Sequence, residues 1–147
     1  MTRLIYIMFL GLMIISCGKG SEPESVVEKS EPASIYNVTW QWESTVTPVE
    51  KITIQEPERY TVIFSEDGKA VMQFDCNRGN GNFTIAENRI SFGPLISTRM
   101  ACPEDSLDTS FTRDLERVAS FFLKDGKLYL ELPMDNGTMC FRPEKQG

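Results

Sequence analysis

The chain has 147 residues, 41% hydrophobic and 24% charged, a globular composition sufficient for one domain with a core. Its 15 Lys and Arg against 21 Asp and Glu leave a net charge of -6 with no basic block, which excludes a phosphate-tracking surface for nucleic acid. There is no histidine, so Ser-His-Asp and Cys-His nucleophile systems and His-ligated zinc sites are excluded as well.

In chain order, Arg3 precedes an apolar run from Leu4 to Ile15. That run is shorter than the roughly 20 residues of a transmembrane span and has the size of a signal-peptide core, so residues 1–16 read as an export signal. It ends Ile14-Ile15-Ser16-Cys17, which resembles a bacterial lipobox and makes Cys17 the expected acylation site and new N-terminus. Several acyl chains on one cysteine, palmitate among them, would anchor the chain to a membrane without any further membrane element. Gly18 follows the cysteine in place of Asp; by analogy with lipoprotein sorting this favours the outer membrane in a cell with two membranes. Residues 17–36 then read as a lipidated cysteine and disordered tether. Gly, Ser, Pro and Glu dominate it, and Val26-Val27 is its apolar pair.

Short runs of period two follow. Trp40 and Trp42 share one face of an extended segment. Tyr60 to Ser65 and Lys69 to Phe74 form a hairpin about Glu66-Asp67-Gly68. A second pairs Phe83 to Ile85 with Ile90 to Phe92, and a third pairs Phe121 to Lys124 with Lys127 to Leu132. Between the second and third, Leu107, Phe111, Leu115 and Val118 recur at helical spacing, predicting one amphipathic helix within Ser106 to Ala119. Thr138 to Phe141 closes the chain, and residues 144–147 are a tail. The fold expected is mainly β with one helix (α+β), either a curved antiparallel sheet covered by the helix or a barrel plugged by it. Gly79, Asn80 and Gly81 read as a tight loop, with Asn77, Arg78 and Thr98 in turn-stabilising roles. No cofactor or metal is expected, since neither acidic pair, Glu66-Asp67 or Glu104-Asp105, has the ligand density of a calcium loop.

With Cys17 assigned to lipid, Cys76, Cys102 and Cys140 allow three pairings and at most one intramolecular bridge. The stretch Asp75-Cys76-Asn77-Arg78-Gly79-Asn80-Gly81-Asn82-Phe83, followed by Ile90 to Pro103 with its Thr98-Arg99-Met100-Ala101-Cys102, resembles the META domain family. The resemblance runs from residue 37 to 143 and ends in Phe141-Arg142-Pro143. It implies a barrel-like antiparallel sheet with a packed helix, in envelope proteins associated with heat shock, stress and antibiotic tolerance, with no catalytic activity. It also implies a Cys76–Cys102 bridge that leaves Cys140 free, and it marks Asn77, Arg78, Gly81 and Thr98 as motif or interaction residues. The family often carries Gly where this chain has Asp75. The expected function is therefore a non-enzymatic envelope lipoprotein that meets an unidentified envelope protein or component. The alternative is a carrier that holds a small lipophilic ligand inside the barrel.

Overall fold

The computed structural model describes residues 34–145. The export signal, Cys17 and nearly all of the tether lie outside the described residues. Ten strands and one α-helix follow: β1 (Thr39–Val46), β2 (Lys51–Thr53), β3 (Tyr60–Phe64), β4 (Lys69–Phe74), β5 (Asn77–Ala86), β6 (Arg89–Phe92), β7 (Ile96–Ser97), α1 (Asp108–Glu116), β8 (Ser120–Lys124), β9 (Lys127–Glu131) and β10 (Thr138–Pro143). Eight of the strands close an antiparallel barrel in the order β1-β3-β4-β5-β6-β8-β9-β10, with β10 pairing back onto β1. The short β2 extends the flank of β1, and β7 lies beside the first half of β5.

Closure puts alternate residues inside. Trp40 and Trp42, Tyr60, Val62 and Phe64, Ala70, Met72 and Phe74, Leu128 and Leu130, and Met139 and Phe141 all point into one core. In β1 the alternation slips at a bulge between Trp42 and Ser44. The bulge turns Thr45 inward in place of Ser44, where its Oγ1 accepts the indole N–H of Trp42 at 3.0 Å. The other indole, Trp40, donates to the carbonyl of Ile35 at 2.9 Å, so both tryptophans are buried with their polar atoms bonded.

Each end of the barrel is filled differently. At the Tyr60 end α1 lowers Phe111 into the core, with ring centroids 5.2 Å from Trp42, 5.9 Å from Tyr60 and 6.2 Å from Phe141. At the Phe64 end the incoming chain crosses the mouth: Tyr36 forms a parallel bridge to Phe64 and lies 6.3 Å from the Phe83 ring, while Ile35 is buried. The barrel with one helix is the fold class expected from the hairpins and the 107–118 stripe.

Two element boundaries differ from the sequence reading. The helix is shorter than Ser106 to Ala119. Ser106 is held in a turn by Pro103, Leu107 donates its N–H to the Tyr60 hydroxyl, and Ala119 already bonds to Glu131 at the start of β8. The second correction is at Gly79, Asn80 and Gly81. These form no loop; they are the interior of β5, a ten-residue strand paired with β4 from Asn77 to Asn82. Asn77 and Arg78 therefore do not stabilise a turn.

Candidate functional site

The motif residues gather where β5 begins, at the foot of the long connection from Gly93 to Leu107. Asn77 is the first residue of β5, points inward, and is only 3% exposed. Its Oδ1 accepts the N–H of Met100 at 2.8 Å and the hydroxyl of Thr98 at 2.9 Å. Its Nδ2 donates to the carbonyl of Met100 at 3.2 Å and lies 3.2 Å from both Cys102 Sγ and an Asp108 carboxylate oxygen. A single buried amide thus ties a largely exposed connection to the barrel and has its own polar atoms bonded in doing so. Thr98 completes the arrangement: its Oγ1 accepts the N–H of Arg78 at 3.1 Å, and its own N–H donates to the Arg78 carbonyl at 3.0 Å.

A disulfide joins Cys76 to Cys102 with Cα atoms 5.6 Å apart, one residue from Asn77. The amide, the disulfide and the β7 pairing hold one loop against one strand at three consecutive points. The glycines of the motif make the third contact possible. A Cβ on Gly79 would lie 2.9 Å from the Ile96 carbonyl oxygen and 3.0 Å from the Phe74 ring, and one on Gly81 would lie 2.6 Å from a Leu95 methyl. Spacing alone could not expose this role, because the crowding atoms are 14 to 17 residues away or on the neighbouring strand.

Asp75 sits immediately before the bridge at φ 61°, a left-handed conformation that Gly adopts at lower cost. A Gly at this position, as the resemblance implies for the family, would take that conformation without a Cβ penalty. This chain uses the side chain instead: one oxygen of Asp75 meets Arg59 Nε at 2.8 Å and Nη2 at 2.6 Å, while its N–H donates to the Arg59 carbonyl. Burial works against ionisation of this carboxyl, but the nearby Ser106 hydroxyl and the Arg59 guanidinium outweigh it and hold the pKa below the usual Asp range. The second oxygen is buried without a hydrogen-bond partner among the described residues, so Arg59 is the direct contact and Ser106 a more distant dipole.

Among the described residues Cys140 is the free thiol, on the outer face of β10. Burial and the Glu43 carboxylate, which lies 3.7 Å away and is held by Lys127 at 2.6 Å, raise its pKa. The thiol is kept protonated, the opposite of a nucleophilic cysteine. Of the other sites expected, Arg78 is exposed beside the loop and Gly81 lies beneath Leu95. Among the described residues no three His, Cys, Asp or Glu side chains are grouped to hold a metal ion, and no helix is long and apolar enough to cross a membrane. What the assembled polar groups can do is fasten the loop, since each faces another member of the set.

Comparison with known proteins places this geometry in context. A structure of a protein from Burkholderia xenovorans superposes with a TM-score of 0.63 at 18% identity, covering 87% of this chain and all of that one. A DUF4847 family protein from Bacteroides vulgatus gives 0.57 at 13% identity, covering 77% of this chain and 96% of that one. At these identities the likeness is one of fold. No curated protein matches. The model of the META domain matches residues 33–146, which takes in the whole barrel, the disulfide and the Asn77 clasp, and the chain belongs to that family.

Proposed function

We propose that this META barrel is a lipid-anchored envelope protein that performs no chemistry and works through contacts of its outer surface with an envelope protein or component under stress. The observation that carries the choice of contact over carriage is the filled interior. Trp40, Trp42, Met72, Phe111 and Phe141 occupy the volume that a carrier would leave for its ligand, and all are at most 1% exposed. A non-catalytic role is supported by the clasp, whose polar groups are occupied with one another, and by the protonated Cys140 thiol. Anchoring through Cys17 is supported by the Leu4–Ile15 run and the Ile14-Ile15-Ser16-Cys17 ending.

In-cell crosslinking followed by affinity capture of the full chain, with and without heat stress, tests the reading. The expected result is a defined envelope partner whose yield rises with stress and falls when Cys17→Ser releases the protein from the membrane. Recovery of the chain with a stoichiometric small apolar molecule, or with no enriched partner in either condition, would contradict it.

A further inference from the structure

The outward faces of β4 and β5 and the loop around β7 enclose an open groove of about 610 Å³. Its apolar surface comes from Val71, 53% exposed, and Ile96, 71% exposed, on opposite sides. Lys69 stands at one end and Arg78 at the other, with Asn80 and Asn82 between, and none of the lining residues is acidic. In a chain of net charge -6 this is an exception. Lys69 is shared with Asp67 at 3.1 Å, whereas Arg78 makes no ion pair among the described residues. The chemistry fits an extended acidic peptide carrying an aliphatic anchor: the anchor between Val71 and Ile96, the carboxylates on the two cations, the backbone on the Asn amides.

We propose that the occupant is the chain's own segment Glu24-Ser25-Val26-Val27-Glu28, folded back onto the groove. This segment holds the tether's apolar pair, with a carboxylate at each end. The path is short. Tyr36 bridges Phe64, Phe64 pairs with Ala70, and Ala70 lies between Lys69 and Val71. Two strand spacings put the entering chain about 10 Å from the groove wall. Val27 lies seven residues before Ser34, and seven extended residues reach about 23 Å. So seated, the segment shields Val71 and Ile96 from water. The proposal does not depend on the membrane or on the stress partner, so it can fail or stand separately from them.

The test uses the full chain in detergent micelles, with a diazirine amino acid in place of Val27, irradiated and then peptide-mapped. Crosslinks within one chain to peptides from 69–82 or 94–98 are expected. Arg78→Glu should lower their yield about fivefold, as for loss of one exposed ion pair. Reversing both groove cations, Lys69→Glu with Arg78→Glu, should abolish the preference, and adding Glu24→Lys with Glu28→Lys to that pair should restore it, which a merely misfolded groove would not permit. Crosslinks between two copies, to another molecule, or to no preferred peptide would overturn the proposal, as would a yield indifferent to Arg78→Glu.

Discussion

Gly79 shows how much a missing side chain can decide. The atom its Cβ would strike is a backbone carbonyl oxygen, 2.9 Å away in β7, with the Phe74 ring behind it. Gly81 is crowded mainly by a Leu95 methyl, which can rotate away. Gly79→Ala is therefore expected to destabilise the fold by about 2 kcal/mol and Gly81→Ala by less, as read from urea midpoints, because an overpacked site costs most where the neighbour cannot move. Equal effects at the two sites would contradict this account of the strand. Asp75 makes a second, pH-dependent case. Its folded pKa is depressed, so its contribution is complete above the unfolded value near about 4 and is lost as pH falls through the lower folded value. Asn also tolerates left-handed backbone but does not titrate. Asp75→Asn should thus be clearly less stable than the parent at pH 7, with the gap narrowing towards pH 3. A gap of constant size would assign the effect to shape and not to the Arg59 pair. The Gly preference at this position was visible from the family pattern, but the Arg59 contact that replaces it was not, since it joins residues 16 apart in sequence.

At the scale of elements, the central unit is the clasp between the Gly93–Leu107 connection and the start of β5. Closing 26 residues of chain with a disulfide contributes about 3.5 kcal/mol in the loop-entropy model, and a buried amide satisfying several backbone and side-chain groups contributes on the order of 2 kcal/mol. Both hold the same loop, so they should not act independently. Removing the bridge by Cys76→Ser with Cys102→Ser and removing the amide by Asn77→Ala should each lower the denaturation midpoint. Together they should cost measurably more or less than the sum, and strict additivity would mean that the amide and bridge stabilise separate units. Legibility differed by element for physical reasons. The Tyr60–Phe74 hairpin and the last two hairpin strands were readable because period two and turn residues are local signals. β5 was misread because Gly and Asn are weak strand formers, and here close tertiary packing overrides propensity. β2 and β7, of three and two residues, carry no periodicity to read. The sequence reading gives the Asn77 amide a turn role, which the structure replaces with the clasp. Its partners at Thr98, Met100, Cys102 and Asp108 come together only when the barrel folds.

For the molecule as a whole, the barrel has two plugged ends and a filled centre, and its distinctive chemistry faces outward. Phe111 closes the Tyr60 end and Ile35 with Tyr36 covers the Phe64 end, so the tether enters at the end opposite α1. The clasp therefore lies at the end of the domain away from the chain's point of entry. The central claim has two parts: the chain is processed and acylated at Cys17, and the barrel carries nothing inside. Native mass measurement of the protein extracted from its own membranes addresses both at once. The account predicts the mass of residues 17–147 plus acyl groups on Cys17, with one internal disulfide and no bound small molecule. An unprocessed or unacylated chain would contradict the anchoring, and a stoichiometric apolar ligand surviving extraction would contradict the filled barrel.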